Sequence, residues 1–283
     1  INPSLPCDLA QSLIEMAVRL AVLAALLLAS LGSCSAKATS TFRSFDEAKV
    51  NKTIALTFDD GPHGTLTPKL LDVLKEKGVK VTFFVMGIKA QLHPDILLRA
   101  HQEGHEIANH VWDHPVLSKI PREQVQEQLA RTSQAIEKAI NQKPSVMRPP
   151  YGNTNNPLNE FIFSTSGLRV IIWSLDTLDW RRPLPSEIVS STVSRVKAGD
   201  VVLCHDIHPG TIQAMPDLID ALRGQGYVFA TVSDMLVLQE PGFEKPQAAV
   251  QTGAVVGAAA GTGVGAGVGV GAGAGTGTWA RVV

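Results

Sequence analysis

The chain has 283 residues, 45% apolar and 18% charged, and its 25 basic against 26 acidic side chains leave a net charge of −1. So even a balance gives no electrostatic footprint for nucleic acid, and three cysteines are too few for a disulfide framework. The length allows two domains, but the patterning describes one α/β domain, residues 41–245, with an appendage at each end.

In chain order, the first appendage is a leader over 1–40. Met16-Ala-Val-Arg19 precedes an apolar run, Leu20 to Leu31, and the small residues Gly32-Ser33. A basic residue, a short apolar core and small residues describe an export signal, and the run is short for a membrane span. Met16 is the expected initiator. Leu31-Gly32-Ser33-Cys34 resembles a bacterial lipobox, which places a lipid on Cys34 and makes it the one expected membrane attachment. The alternative is a plain signal peptide cut after Ala36 or Ala38. The expected location is therefore the cell envelope or periplasm, lipid-anchored or secreted.

Strand-like runs follow at 53–58, 81–85, 105–109, 145–147, 168–173, 200–204 and 226–230. Helix-like stretches fall between them at 65–77, 94–103, 121–142, 157–166, 185–197 and 211–224. The clearest is 121–142, with Val125, Leu129, Ile136 and Ile140 on one stripe and Pro121 at its start. About seven such units imply a parallel sheet with helices outside, and chemistry-bearing residues after nearly every strand favour a smallish, incomplete barrel over an open sheet. Cys204 lies in a strand-like run and reads as a small apolar residue. From about Gln247 to Thr278 the chain is Gly, Ala, Val and Thr without charge, and 246–283 reads as a disordered low-complexity tail.

Polar residues collect at the ends of these strands. Asp59 and Asp60 close the first, in Thr57-Phe-Asp-Asp-Gly-Pro62, and His110 and His114 follow the third. Alone, Asp-Asp-Gly is a common polar turn and His-x-x-x-His a weak metal signal. Together they supply two imidazoles, one carboxylate for a divalent ion and a second carboxylate to accept a proton from water. A spacing of four puts both histidines on one side of any helical turn there. Arg148, before Pro149-Pro150-Tyr151, either caps a surface carboxylate or pairs with Asp59, and the Tyr151 N–H is the first after the prolines able to face an oxyanion. Asp176, Asp179 and Trp180 follow the fifth strand; Leu203 and His205 end the sixth, where a histidine near a carboxylate suits a general acid. His63 and His208 read as bystanders at the site mouth, and His93, His101 and His105 as surface or packing residues.

Taken in order, Thr57-Phe-Asp-Asp-Gly-Pro62, His110-x-x-x-His114, Arg148-x-Pro-Tyr151, Asp179-Trp180 and Leu203-x-His205 resemble the five motifs of the polysaccharide deacetylases of carbohydrate esterase family 4, over about residues 50–235. The resemblance implies an α/β fold, a distorted, TIM-like (β/α) barrel of about seven units, with Asp59 as general base, Asp60, His110 and His114 as metal ligands, and Arg148 as the group that positions Asp59. It implies the Tyr151 amide at the oxyanion, His205 as general acid tuned by Asp179, with Asp176 competing for a supporting role. Trp180 and Leu203 become the apolar slot for the acetyl methyl. One departure is Val111, where the family usually has Ser or Thr. The expected activity is removal of N-acetyl groups from an N-acetylglucosamine glycan, peptidoglycan or chitin-like. Alternatives are O-acetyl esterase action on xylan or another glycan, and a non-catalytic glycan-binding module. The expected cofactor is a divalent ion, zinc first, with cobalt, nickel or iron also suited. The expected partner is the acetylated glycan; no protein partner is implied.

Overall fold

The computed structural model describes residues 41–240 and 242–245. The leader, Cys34, Met16 and the Gly/Ala/Val tail lie outside the described residues.

In chain order the elements are α1 (Glu47–Val50), β1 (Thr53–Asp59), α2 (Leu66–Lys77), β2 (Thr82–Val85), α3 (Gly87–Leu92), α4 (Pro94–Gln102), β3 (Glu106–Asn109), α5 (Arg122–Ile140), β4 (Val146–Met147), α6 (Asn156–Ser166), β5 (Arg169–Val170), β6 (Leu175–Asp176), α7 (Pro185–Val193), β7 (Val201–His205), α8 (Pro209–Gly224), β8 (Val228–Phe229) and α9 (Val232–Gln239). All the strand pairs are parallel, in the order β5-β4-β3-β2-β1-β7-β6, with β8 on the first residues of β1. The sheet curls but does not close between β5 and β6. Residues 42–45 span that gap: Phe42 bridges Ile171, and the Phe45 N–H donates to the Gly199 carbonyl at 2.8 Å. This is the distorted, incomplete barrel expected of the chain.

A period of two sorts the strand residues. On β1, Ile54, Leu56 and Phe58 pack outward with Leu70, Leu71 and Leu74 of α2 and Leu218, Ile219 and Leu222 of α8. Each such side chain stabilises the fold by roughly 1.5–3 kcal/mol. Ala55 faces the interior with Phe84, Ala108, Val146 and Val201, and Val232, Met235 and Leu236 of α9 fill the end of the barrel below them. The same alternation carries Asp59, Arg148 and His205 inward at the other end. A slip of one residue in β1 would bury Asp59 among helices instead.

Some elements differ from the sequence expectation. The run 168–173 forms only a two-residue strand and a bridge at Ile171, and a further strand, β6, starts at Leu175. Ile171 and Ile172 turn their carbonyls to Arg148 instead of to a long ladder. Pro121 is the N-cap of α5 and not its first residue, and left-handed Asn141 ends that helix. α1, α3 and α9 have no counterpart among the predicted helices; each is short and mostly apolar on the face it buries. Among the described residues, no helix is long and apolar enough to cross a membrane.

Candidate active site

Asp59 is the last residue of β1 and 3% exposed. Its partner is Arg148, delivered by β4 and fully buried. The guanidinium donates from Nη1 to Asp59 Oδ1 at 2.7 Å and to Thr57 Oγ1 at 2.8 Å. Nε and Nη2 donate to the carbonyls of Ile171 and Ile172, and Cζ lies 4.0 Å from the Phe84 ring centroid. Of the two readings of Arg148, the surface cap is excluded by this burial.

His110 follows β3 directly, but the segment to His114 is not a helical turn. Val111 and His114 both take positive φ, 58° and 69°, so the two rings meet through a tight loop and not through helical spacing. Neighbours shape that loop. Asn109 anchors to the Leu129 carbonyl and accepts from the Val111 N–H at 2.8 Å, and Gln128 of α5 accepts from the Trp112 N–H at 2.7 Å. Val111 is buried against Leu117, Val125 and Leu129. A β-branched residue at positive φ is strained, and here packing holds it.

Asp60, His110 and His114 converge. Asp60 Oδ1 lies 3.4 Å from His110 Nε2 and 3.3 Å from His114 Nε2. The fit of this set to a cation follows from proton positions. His110 Nδ1 stands 2.8 Å from the Arg148 carbonyl, which can only accept, so Nδ1 carries the proton. In the neutral ring Nε2 then presents a lone pair to Asp60 Oδ1, a buried oxygen with no hydrogen-bond partner among the described residues. Facing lone pairs call for a cation between them, and two imidazoles with a carboxylate suit a divalent metal. With the rings protonated instead of metal-bound, burial raises the Asp60 pKa, but a hydrogen bond from His110 and the charges of His110, His114 and His205 outweigh it and hold the carboxyl well below its usual range, so this carboxylate is matched to positive charge beside it. His114 is pushed down by burial and by His110.

The opposite wall comes from β6 and β7. His205, the last residue of β7, places Nδ1 at 2.7 Å from Asp179 Oδ1. Asp179 Oδ2 accepts from the His205 N–H and from Thr211 Oγ1, each at 2.7 Å. Burial lowers the His205 pKa, but Asp179, then Asp59 and Asp60, bring it up to about 9. Asp176 instead accepts from the Leu178 N–H at 2.7 Å and from Trp180 Nε1 at 3.4 Å. Between the walls is a cleft of ≈ 460 Å³ lined by Asp59, Asp60, His110, His114 and His205, with Tyr151, Trp173, Trp180 and Leu203 as its apolar sides. Tyr151 sits at φ 60°, ring edge-on to His114, with centroids 4.6 Å apart.

The structure thus brings every predicted site residue to one cleft or directly behind it. His208 is at its margin, its ring 5.8 Å from that of His205. His63 folds back on its own turn, where Nδ1 accepts from the Thr65 and Leu66 N–H groups. His105 is a packing residue, edge-on to Phe83, and burial pushes its pKa down to about 4. Cys204 is buried on the outward side of β7. Sequence reasoning missed Thr57, Asn109, Gln128, Trp173 and Thr211, whose partners lie on distant segments. Only Thr57 left a signal, as the inward neighbour two residues before Asp59.

Comparison with known proteins gives a consistent set of relatives. A family model described as polysaccharide deacetylase matches residues 46–168. The peptidoglycan-N-acetylglucosamine deacetylase PgdA of Listeria monocytogenes is 40% identical over 189 residues, which cover 67% of this chain and 40% of that protein. A chitooligosaccharide deacetylase of Bradyrhizobium is 36% identical over 203 residues, 65% of this chain and 91% of the relative. The structure of the peptidoglycan deacetylase PdaC from Bacillus subtilis superposes with a TM-score of 0.63 at 36% identity, over 67% of this chain and 92% of that one. The chain therefore spans well under half of the Listeria protein and nearly all of the Bradyrhizobium one.

Proposed function

The chain belongs to the polysaccharide deacetylase family, and from that premise we propose that it is a metal-dependent hydrolase removing N-acetyl groups from an N-acetylglucosamine glycan, peptidoglycan first. The observation that carries this reading is one cleft with two oppositely built proton-transfer groups, Asp59 held by Arg148 and His205 held by Asp179, flanking the Asp60, His110 and His114 cluster.

A divalent ion held by Asp60, His110 and His114 would supply Lewis acidity toward the acetyl carbonyl and the attacking water. Zinc is the proposed ion, and cobalt, nickel or iron suit the same ligands. Asp59 takes one proton from the water as its oxygen bonds to the carbonyl carbon. The Tyr151 N–H faces the charge growing on the carbonyl oxygen. His205, protonated at neutral pH, then gives its proton to the sugar nitrogen as the C–N bond breaks, leaving acetate and a free amine. Trp180 and Leu203 enclose the methyl group. An export-type leader, with or without a lipid on Cys34, agrees with a substrate outside the cytoplasm.

The test is acetate release from chitooligosaccharides, peptidoglycan fragments and acetylated xylan, with and without chelator and added Zn²⁺ or Co²⁺. Metal-dependent release from an N-acetyl substrate is the expected result. Release from xylan alone would reassign the chain as an O-acetyl esterase, and no release from any of the three, with metal bound, would overturn the catalytic reading.

A further inference from the structure

The turn that carries Asp60 is held from several sides. Lys89 Nζ donates to the Asp60 carbonyl at 2.7 Å, the Met86 N–H donates to the Gly61 carbonyl at 3.0 Å, and the His63 N–H donates to Thr67 Oγ1 at 2.7 Å. The Thr67 hydroxyl in turn donates to Oδ2 of Asp206, the residue after His205. Asp206 is fully buried, and its Oδ1 has no hydrogen-bond partner among the described residues. Burying a carboxyl group with one oxygen unpartnered costs stability, so its place in the fold calls for an account.

Gly61 shows what depends on it. A Cβ built there would stand 2.6 Å from the Asp206 carboxyl carbon and overlap both carboxyl oxygens. The carboxyl group therefore occupies the volume that a side chain at 61 would fill. The glycine is required for that space and not for its dihedrals, because the left-handed residue of the turn is Asp60 itself, at φ 71°. A non-glycine residue keeps such a conformation only where its surroundings over-determine it.

We propose that Asp206 is a positioning residue for the metal-binding carboxylate. Wedged against Gly61 and tied through Thr67 to His63, it fixes the turn in which Asp60 points at His110 and His114. As the residue after His205, it also locks that turn to the strand that delivers the acid. The inference rests on the reading of Asp60, His110 and His114 as metal ligands. Groups that orient a ligand typically change metal affinity by roughly 10–100-fold when removed.

The experiment uses the full chain stripped of metal. Co²⁺ and Zn²⁺ affinities are measured by competition with a chromophoric chelator, the Co²⁺ visible spectrum reports ligand arrangement, and thermal unfolding of the metal-free forms reports the fold. Asp206→Ala is expected to weaken Co²⁺ binding by roughly 10–100-fold and alter its spectrum. Thr67→Val moves both readouts the same way by a smaller factor. Gly61→Ala weakens binding in the wild-type background but much less beside Asp206→Ala, because its methyl group enters the vacated space. Lowered thermal stability with unchanged Co²⁺ affinity and spectrum would overturn the proposal, as would additive effects of Gly61→Ala and Asp206→Ala. If Asp206→Ala does not fold, Thr67→Val and Gly61→Ala decide the question by the same affinity and spectral readouts. Failure of the underlying reading looks different: the wild type itself binds no Co²⁺, or Asp60→Ala binds it as tightly as wild type.

Discussion

The two walls of the cleft each hold a carboxylate and a cationic partner 2.7 Å apart, yet they turn opposite members of the pair toward the cleft, as the opposite proton transfers of the proposed mechanism require. On the β1–β4 side the cation, Arg148, is buried and permanent, and the carboxylate faces the cleft. On the β6–β7 side the carboxylate, Asp179, is buried, and the imidazole faces the cleft. In the proposed mechanism the same pairing makes a proton acceptor in one place and a donor in the other. What differs is which member the strand period turns toward the substrate. The supports differ too: Arg148 spends its donors on two backbone carbonyls, Thr57 and Asp59, whereas Asp179 leans on a backbone N–H and the Thr211 hydroxyl.

The largest expected effect falls on the acceptor. Asp59→Asn should keep Co²⁺ or Zn²⁺ binding and lower kcat by about 10²–10⁴-fold. Steady-state kinetics beside a metal titration checks this, and near-wild-type turnover would break the contrast between the walls. Next is Arg148→Met, which leaves the Asp59 carboxylate buried without its cation. A loss of roughly 3–5 kcal/mol in urea unfolding is expected, since breaking a buried pair strands a charge. Asp179→Asn should cost the fold less, because His205 is partly solvated.

The same substitution sharpens the donor side through pH. The His205 pKa is raised from its ordinary 6.5 to about 9, chiefly because the contact with Asp179 outweighs burial. The proposed mechanism uses its acid form, so activity should hold at neutral pH and fall as pH rises through about 9. Asp179→Asn removes that support, and the alkaline limb should move to lower pH in a kcat profile; an unmoved limb would detach His205 from the acid role. A raised folded-state pKa also means that the pair stabilises the fold fully below about 6.5, an effect lost as pH climbs toward 9. The smallest effect expected is that of Thr211→Val, which removes one hydrogen bond to Asp179. It should cost about 0.5–1.5 kcal/mol of stability and under tenfold in rate, by calorimetry and kinetics.

Much of this was legible in the chain. Short β-branched runs ending in Asp, His or Arg marked where strands stop, and in a parallel sheet all those ends lie on one face. That logic brings Asp59, Asp60, His110, Arg148 and His205 together from the strand pattern alone. It misjudged the route from His110 to His114, because a spacing of four suggests a helical turn while the loop uses two left-handed residues, one of them a valine. Nor did it find Asn109 and Gln128, which hold that loop from a strand and a helix, since no local pattern announces hydrogen bonds between segments sixteen and twenty residues apart.

The sequence by itself determined the kind of fold, the strand ends and the residue types of the site, because periodicity and strand chemistry are local and repeat every two or four residues. Only the tertiary structure decided that Arg148 is buried on Asp59 and not on the surface, that Asp179 rather than Asp176 holds His205, and that Gly61 is a glycine because Asp206 occupies its side-chain space. Those outcomes depend on which strands become neighbours when the sheet curls, and on which atoms then compete for the same volume.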